Sequence, residues 1–400
     1  MPRLSMVLGI RPDVIRASLM IKELKAKLGD DFEFIWSGQH YSDNMRDVFF
    51  RQLDVPRPDV ILDLQKDSDA NMIGSLIGQL GAHLERSRPE AVVFLGDTNT
   101  VLGAISAASL GIPIIHIEGC MRSYDWRMPE EKYRSTIDHL SDVIYAYLPE
   151  YKQQGLLEGI REESIVLTGN PIVDVLEHYF LSGEIRLSGT EKSDLLDTLG
   201  VEPKSYWVMT CHRRENVENK NSLSRILELA SRTKEPVVFA AGYRTQRMIS
   251  EFGLELPSNV KMIDPVGYVE LLELMADAAG VLSDSGTVVE ETAVLGIPTI
   301  QMRSSTERPQ VYDTGFCMKF DPLEGYSELE LDALISTTRN SSVHSNHRLG
   351  DGEASRIIVA DLLERLDKSN WPGHVFKSNE RPLSRNYGAG LADLGLSYLK

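Results

Sequence analysis

The chain has 400 residues, of which 42% are hydrophobic and 25% charged, and it carries a formal net charge of −17. This length and composition predict two or three globular domains with a sizeable core. The acidic balance argues against a nucleic-acid partner or an anionic membrane surface, because both attract a basic face. We find no apolar window long enough for a transmembrane helix, and the apolar part of the N-terminus is too short for a signal peptide.

Three cysteines, Cys120, Cys211 and Cys317, lie far apart in the sequence. Their odd number and the absence of Cys-x-x-Cys spacing argue against a disulfide scaffold and a structural zinc site, and they favour a reducing cytoplasm. Cys120 and Cys211 adjoin candidate functional residues. A nucleophilic thiol is therefore an alternative to a small thiol that packs behind a site.

In the first part of the chain, short apolar runs alternate with helical patterns. The predicted strands are Leu4–Gly9, Phe32–Ser37, Ala91–Asp97, Ile112–Ile117, Val143–Tyr147 and a run that begins at Ser164. Helices are predicted after Pro12, at about 43–52, at about 70–86, from Asn99 to Gly111, and from Glu130 onward. Strands that are apolar throughout and separated by helices predict a parallel sheet covered on both faces.

The same rhythm restarts after Asn170-Pro171. Strands are predicted at Tyr206–Thr210, Pro236–Ala240, Val260–Ile263, Gly280–Ser283 and Pro298–Gln301, and an amphipathic helix at Ala354–Leu366. We therefore predict an α/β protein of two Rossmann-like, doubly wound domains that face each other across a cleft. The boundary is expected near 171–190, with residues 1–170 in the first domain, 171–370 in the second, and a tail, 371–400, that packs back on the first.

Carboxylates follow two neighbouring predicted strands. Asp97 ends one of them and Glu118 the next, where Gly119 permits a sharp turn; Glu130 and Glu131 open the following helix. Ligands bind at the carboxyl ends of strands in a doubly wound sheet, and burial or like charges can separate the pKa values of carboxyls there. These residues are candidate acids and bases. The alternative is a pair of helix-capping carboxylates and one solvated glutamate.

Two motifs in the second half indicate an anion site. Asp284-Ser-Gly286 lies between a strand and a helix, where Ser285 and the first helical N–H groups can donate to an anion, although such a motif is also a common N-cap. His212 precedes Arg213 and Arg214 at another strand end, a pattern typical of phosphate binding or proton transfer. A Gly-x-Gly-x-x-Gly motif and a Walker loop are both missing, which disfavours NAD and ATP.

These pieces occur in the order and spacing of one family. The chain resembles the non-hydrolysing UDP-N-acetylglucosamine 2-epimerases, whose fold is shared with GT-B glycosyltransferases. The resemblance covers roughly residues 4–365. The matching residues are Gly9-Ile-Arg-Pro12, Gly38-Gln-His40, Gly96-Asp-Thr98, His116-Ile-Glu-Gly119, Arg122-Ser123, Pro129-Glu-Glu131, Arg134, Thr168-Gly-Asn170, His212-Arg-Arg-Glu-Asn216, Asp284-Ser-Gly286, Glu290-Glu291, Gly296, Pro298, Thr306-Glu-Arg-Pro309, Gly350-Asp-Gly352 and Ala354-Ser355.

The resemblance implies roles for individual residues. Its catalytic positions are Asp97, Glu118, Glu130 and His212. Its UDP-sugar-binding positions are Arg11, Arg16, Arg122, Arg134, Arg213, Ser285, Gly286, Glu291 and Arg308. Gln39 and His40 fall where a second, allosteric UDP-sugar binds. The implied chemistry inverts C2 of the sugar by elimination of UDP to a glycal and re-addition, with no metal or other cofactor, in a homodimeric cytoplasmic enzyme.

The sequence departs from the family pattern around the predicted sugar pocket and phosphate loop. The departures are Ile10 for Thr, Arg16 for Lys, Gly119-Cys-Met121 for Ala-Gly-Leu, Tyr133 for Asn, Thr287 for Gly, Val289 for Gln and Gln310 for Glu. These changes leave the C2 chemistry in place and the sugar substituents open. The alternatives are a hydrolysing 2-epimerase that releases UDP and a free N-acetylmannosamine-type sugar, a GT-B glycosyltransferase, and an inactive nucleotide-sugar sensor.

Overall fold

A computed structural model describes residues 1–38, 50, 53–65, 67–341 and 347–372. The candidate allosteric residues Gln39 and His40 lie outside the described residues, as do almost all of the helix predicted at about 43–52 and the tail beyond residue 372. Within the described residues, no helix has the length and apolar content needed to cross a membrane.

The first sheet is entirely parallel. Its strands, over the described residues, are β1 (Leu4–Leu8), β2 (Phe32–Trp36), β3 (Val60–Ile61), β4 (Ala91–Leu95), β5 (Ile114–Ile117), β6 (Val143–Ala146) and β7 (Ile165–Leu167), in the order β3-β2-β1-β4-β5-β6-β7. The helices that accompany them are α1 (Arg11–Leu28), α2 (Asp69–Ser87), α3 (Ala104–Ser109), α4 (Pro129–Leu140) and α5 (Pro149–Leu157). Short 3₁₀ helices cover Gly29–Asp31, Asn99–Gly103 and Glu162–Ser164.

The second sheet repeats this plan. It consists of β8 (Trp207–Thr210), β9 (Val237–Ala240), β10 (Val260–Ile263), β11 (Gly280–Ser283), β12 (Thr299–Met302) and β13 (Cys317–Phe320), in the order β10-β9-β8-β11-β12-β13. The helices are α6 (Pro171–Val175), which continues as a π-helix over Leu176–Leu181, α7 (Gly189–Leu199), α8 (Arg214–Val217), α9 (Lys220–Ser231), α10 (Tyr243–Glu251), α11 (Tyr268–Ala276), α12 (Gly286–Leu295), a 3₁₀ helix at Pro309–Thr314, α13 (Glu328–Arg339) and α14 (Ala354–Lys368).

The predicted α/β class with two parallel sheets is confirmed, and most predicted strands end within one or two residues of the observed ones. Sequence analysis missed β3 and β13, which are one edge strand of each sheet. Each is partly exposed: Ile61 of β3 and Lys319 of β13 face solvent. Because of these exposed positions, β3 and β13 do not form the continuous apolar runs from which the other strands were predicted.

Both sheets reverse their strand order at one place. In the first sheet, β1 lies between β2 and β4, and in the second, β8 lies between β9 and β11. The loops after β1 and β4, and those after β8 and β11, therefore lead away on opposite sides and leave a crevice at the strand ends, which is where doubly wound sheets bind ligands. Most of the predicted site residues follow these four strands and β5, which pairs with β4. Arg308 follows β12, the neighbour of β11.

The last described helix, α14, packs against α1, the first helix of the first sheet, and against α6, which follows β7 directly. Side chains of α14 that include Ile358, Val359 and Leu362 are fully buried, and the helix contacts α1 and α6. Asp174 of α6 accepts the backbone N–H groups of Ala354 and Ser355 at the start of α14. We infer that α14 belongs structurally with the first sheet although it follows the second in sequence. The division into domains 1–170 and 171–370 stays a prediction from the sequence.

Candidate active site

The facing ends of the two sheets enclose a cavity of about 670 Å³. The predicted site residues that line it are Arg16, Asp97, Glu118, Glu130, His212, Arg213, Ser285, Gly286 and Arg308. Of the other predicted residues that the structure describes, Arg11, Arg122, Arg134 and Glu291 are not among those lining it. Both structural units therefore contribute to one site, in which side chains distant in sequence meet.

Glu118 extends from the end of β5 on a strained backbone. Its φ is +80°, and that of Cys120 is +64°, in the left-handed region that side chains other than glycine rarely adopt. Gly119 between them leaves no room for a side chain, since a Cβ would lie 2.2 Å from Ile144 Cγ2 and 2.7 Å from Asp138 Oδ1. The turn thus directs the Glu118 carboxylate back over the sheet end.

Two guanidinium groups hold the Glu118 carboxylate. Arg16 of α1 pairs with its Oε2, and Arg308 from the second unit donates to its Oε1 at 2.6 Å. Tyr147 donates to Oε2 at 3.4 Å, and the glutamate is 5% exposed. Arg16 in turn pairs with Asp13 at 2.9 Å; burial raises the pKa of Asp13 to about 6, against the lowering effect of Arg16. This bridge joins the two units at the base of the cavity.

Asp97 follows β4 through Gly96, whose φ is +84°. Its carboxylate forms an ion pair with Arg134 of α4. Burial acts to raise the pKa of Asp97, but Arg134, helped by the more distant Arg213 and Arg308, holds it below its ordinary value. Arg134 therefore acts behind Asp97, which is why it does not itself line the cavity.

The two glutamates that open α4 have different functions. Glu131 is 1% exposed and accepts the backbone N–H groups of Ser123 and Tyr124, so that it anchors the loop between β5 and α4. Glu130 is about one-third exposed, lines the cavity, and lies 4.0 Å from Arg213 Nη1. The start of α4 has no side-chain cap, so the capping alternative fails for this pair. Glu131 holds the preceding loop, whereas Glu130 faces the site.

Arg122 lies beneath the site in a buried cluster around Asp138. Its Nη1 is 2.7 Å from Asp138 Oδ2, and its Nη2 is 2.6 Å from Glu158 Oε2. His116 lies 2.7 Å from Asp138 Oδ1 and donates from Nε2 to the carbonyl of Gly96, the residue before Asp97, at 2.8 Å. Asp138 also accepts the N–H of Cys120 at 3.0 Å. The cluster fixes the loops that carry both Asp97 and Glu118.

Sequence analysis did not single out Asp138. A signal was present, because Glu131, Arg134 and Asp138 recur at helical spacing on the buried face of α4. Three charged residues on a buried helix face need partners, and they mark a place where a helix supports a polar site.

Ser285 and Gly286 begin α12. Ser285 is the N-cap, and its Oγ accepts the N–H of Val288 at 3.3 Å. Gly286 allows Arg308 to approach the helix start, because a Cβ there would lie 2.7 Å from Arg308 Nη1. Arg308 also lies 2.8 Å from Glu290 Oε1 and pairs with Glu307. A helix N-terminus and a guanidinium thus face the cavity together, an arrangement that favours an anion.

Glu307, which sequence analysis did not predict as a site residue, lies within a set of arginines. Burial acts to raise its pKa, but Arg303, Arg308, Arg134 and Arg213 hold it well below its ordinary value. Glu291 is different: it is buried behind the cavity with the Tyr268 hydroxyl 3.0 Å from its Oε1. Burial raises the pKa of Glu291 to about 8.

Arg11 is placed at the edge of the cavity by its position in the chain. It is the first residue of α1, between the lining residues Ile10 and Pro12.

The cysteines do not form a nucleophilic site. Cys120, Cys211 and Cys317 are all buried, and desolvation raises the pKa of each thiol, which disfavours the nucleophilic thiolate. Among the described residues, no group of three or more His, Cys, Asp and Glu side chains is arranged to hold a metal ion.

His212 and Arg213 follow β8 and extend into the cavity. The imidazole of His212 extends into the cavity, and its enclosure by the cavity walls lowers its pKa. Arg213 Nη2 lies 3.9 Å from Glu307 Oε1, and Arg213 Nη1 lies 4.0 Å from Glu130 Oε1. The cavity therefore brings Asp97, Glu118 and Glu130 together with an imidazole, guanidinium groups and a helix N-terminus. Groups of these kinds can transfer protons and stabilise an anion.

Two facing α/β units with an acidic and anion-binding site between them define a GT-B-like enzyme of the type that handles nucleotide-linked sugars. The family model described as UDP-N-acetylglucosamine 2-epimerase matches residues 22–363. This chain belongs to the UDP-N-acetylglucosamine 2-epimerase family, as the sequence motifs predicted.

Individual relatives agree with this assignment. A UDP-N-acetylglucosamine 2-epimerase of Methanococcus maripaludis is 34% identical over 90% of this chain and 98% of its own length. A UDP-2,3-diacetamido-2,3-dideoxy-D-glucuronate 2-epimerase of Pseudomonas aeruginosa is 30% identical over 90% of this chain and 99% of its own. The Methanocaldococcus jannaschii UDP-GlcNAc 2-epimerase, solved in complex with UDP-GlcNAc and UDP, superposes with a TM-score of 0.82 at 32% identity, covering 90% of this chain and 99% of that one.

Proposed function

We propose that this protein interconverts UDP-N-acetylglucosamine and its C2 epimer, UDP-N-acetylmannosamine, or a close N-acylated UDP-sugar. A carboxylate of the cavity removes the C2 proton while UDP leaves from C1, which gives a glycal. UDP then re-adds to C1 and a proton returns to the opposite face of C2. Both steps need an acid and a base held near the same carbon, with cations near the diphosphate.

The observation that carries the proposal is the meeting of Asp97, Glu118 and Glu130 with His212 in one cavity. The first three come from loops after β4 and β5 and from the start of α4, and His212 comes from the other unit. We assign the carboxylates to proton transfer, and His212, Arg213 and Arg308 to the departing diphosphate. The start of α12 at Ser285 and Gly286 is assigned to the same anion.

The finer assignments belong to this proposal as well. We infer a homodimer in the cytoplasm, with no metal or organic cofactor in the reaction. Arg11, Arg16 and Glu291 are proposed to contribute to UDP binding, Arg134 and Arg122 to the support of the loops around the sugar, and Gln39 and His40 to a second UDP-sugar site. Sigmoidal initial rates that become hyperbolic in Gln39→Ala would support that second site, whereas hyperbolic rates in the wild type would reject it.

Incubation with UDP-N-acetylglucosamine in deuterated water tests the central proposal. We expect deuterium at C2 and a mixture of the two UDP-sugars, as read by NMR. Release of free N-acetylmannosamine with UDP would instead identify a hydrolysing enzyme. Exchange only with UDP-2,3-diacetamido-2,3-dideoxyglucuronate would move the substrate to that of the Pseudomonas relative, and the absence of exchange with either sugar would reject epimerase activity.

A further inference from the structure

Asp284 does not cap the helix that follows it. The N-cap of α12 is Ser285, and Asp284, at 0% exposure, turns instead toward the loop after β8. It is the first residue after β11, which pairs directly with β8. A fully buried carboxylate at this position requires donors, and it finds them in the neighbouring loop.

The donors to Asp284 all come from the segment that carries His212. The backbone N–H of His212 lies 3.0 Å from Asp284 Oδ2, that of Arg213 2.9 Å from the same oxygen, and Asn216 Nδ2 3.1 Å from it. Asn216 also donates to the carbonyl of Met302 at 2.9 Å, so the loop is tied to β12 as well. The backbone of the His-Arg-Arg-Glu-Asn motif is thus wrapped around one carboxylate.

The imidazole of His212 faces the same carboxylate with one nitrogen. Its Nδ1 is 3.2 Å from Asp284 Oδ1, while the ring lines the cavity. A proton on Nδ1 suits a carboxylate at this distance, and it leaves Nε2 as the nitrogen directed away from Asp284. A carboxylate that selects one histidine tautomer also stabilises the imidazolium when the ring takes up a proton.

Charged groups around His212 act in opposite directions. Enclosure in the cavity and the neighbouring guanidinium groups of Arg213 and Arg303 lower the pKa of His212, whereas the carboxylates of Asp284 and Glu215 raise it. Asp284 is the largest of the opposing influences. Its carboxylate is therefore well placed to keep the imidazole capable of accepting a proton in a cavity rich in arginine.

We propose that Asp284 is the positioning residue of His212: its carboxylate anchors the loop through three donors and holds the imidazole with Nδ1–H toward β11 and Nε2 toward the cavity. Only the catalytic consequence of this inference depends on the proposed function, because tautomer and orientation are properties of the protein itself. Asp284 acts through His212 and is not assigned contact with a substrate.

The first test is the tautomer of His212 in the wild-type protein. Histidine-selective ¹⁵N labelling with long-range ¹H–¹⁵N spectra would resolve the nine histidines of the chain, and His212→Asn would identify the signal. We expect the Nδ1–H form when the ring is neutral. An Nε2–H tautomer in the folded wild type would overturn the proposal without any variant at position 284.

The second test compares Asp284→Asn with Asp174→Asn. Asp174 is also a buried aspartate that accepts two backbone N–H groups, at the start of α14, and it provides a matched control for the loss of a buried carboxylate. In Asp284→Asn we expect the His212 titration to move to lower pH by about one unit or more. Asp174→Asn should leave that titration unchanged whatever it does to thermal stability.

Turnover gives the third readout. In Asp284→Asn, kcat should fall about tenfold or more with a smaller change in KM, since a positioned acid or base contributes roughly a hundredfold or more. An unaltered His212 titration in folded Asp284→Asn, or an equal shift in Asp174→Asn, would contradict the proposal. If the titration shifts as expected but the wild type does not epimerise either UDP-sugar, the substrate assignment fails and the positioning role stands.

Discussion

The three carboxylates proposed to transfer protons differ in their electrostatic surroundings. Glu118 is buried between two guanidinium groups, and Asp97 pairs with Arg134. Glu130 is partly exposed and lies at the limit of ion-pair distance from Arg213. Because the three carboxylates differ in burial and partners, the same substitution should have different consequences at each position.

The first prediction compares Glu130→Gln with Glu118→Gln. Both should lower epimerisation about a hundredfold or more if they transfer protons. Glu130→Gln should leave stability nearly unchanged, whereas Glu118→Gln should cost about 1–3 kcal/mol, because it weakens buried bonds to Arg16 and Arg308. Urea unfolding and C2 deuterium exchange measure the two effects. Wild-type exchange rates in both variants would remove these residues from the mechanism.

The second prediction concerns Glu291, whose pKa is raised from 4.5 to about 8 by burial. Between these values the folded protein holds a proton that the unfolded chain has released, so stability falls as pH rises through this range, by at most about 1.4 kcal/mol per pH unit. Glu291→Gln cannot titrate. The free energy of unfolding of the wild type relative to this variant should therefore decrease from pH 5 to 8; a constant difference would place the pKa elsewhere.

At this scale, residue chemistry was partly predictable. A carboxylate directly after an apolar strand identified Asp97 and Glu118, since parallel strands bring such positions to one edge of the sheet. The support of these groups was not predictable: Arg122 was expected near the substrate but pairs with Asp138 and Glu158. Which arginine reaches the cavity depends on packing between elements, and no local pattern encodes that.

Among the helices, α7 and α12 have matching starts. Each begins with a serine N-cap and a glycine at the first helical position, Ser188-Gly189 and Ser285-Gly286. A Cβ on Gly189 would meet nothing within 4 Å, whereas one on Gly286 would meet Arg308 and Glu307. The start of α7 therefore has free space at its glycine, whereas the start of α12 accommodates the guanidinium of Arg308.

The third prediction uses this pair. Gly286→Ala should displace Arg308 and weaken UDP binding about tenfold, as expected for the loss of roughly one charge-assisted hydrogen bond. Gly189→Ala should keep wild-type affinity and stabilise the protein slightly, by about 0.5 kcal/mol, since alanine favours a helix over glycine. Calorimetry with UDP measures both variants. Equal affinities would mean that UDP does not approach the start of α12.

Element types were largely predictable and element roles less so. Central strands are buried on both faces, so their apolar runs are visible in the sequence, while the edge strands β3 and β13 are not. The local sequence around Asp284 is typical of a helix N-cap. Asp284 reaches the loop of His212 because β11 pairs with β8. Long-range pairing of this kind has no short-range signature.

On the scale of the whole molecule, the chain joins its two sheets twice. The crossings lie side by side, with the N–H of Asn170 donating to the carbonyl of Leu349 at 2.8 Å. The largest hydrophobic core includes Leu4 of β1 and Leu362 of α14 but also Val208 of β8 and Val281 of β11. The two units are therefore not independent domains: the chain passes between them twice, and they share a hydrophobic core.

The fourth prediction follows from the position of α14. Leu362→Ala removes a fully buried side chain on a helix that contacts α1 and should cost about 2–5 kcal/mol. Hydrogen exchange should then accelerate in β1 and α1 more than in β9 and β10, although residue 362 follows the second sheet in sequence. Leu363→Ala, at a partly buried neighbour, is the control. Acceleration centred on the second sheet would restore the boundary predicted from sequence.

The bridge from Arg16 through Glu118 to Arg308 has a consequence for inhibitor chemistry. To bind between these arginines, an anion must displace the Glu118 carboxylate from them. This carboxylate is part of the protein and cannot diffuse away. A doubly charged group such as a diphosphate interacts more strongly with the two guanidinium groups than the Glu118 carboxylate that it displaces. A ligand with a single carboxylate interacts about as strongly as Glu118 and therefore gains little affinity. Uncharged compounds must use the rest of the 670 Å³ cavity and leave the bridge in place. A compound screen should accordingly yield two chemical classes, and only the charged one should lose affinity steeply with added salt.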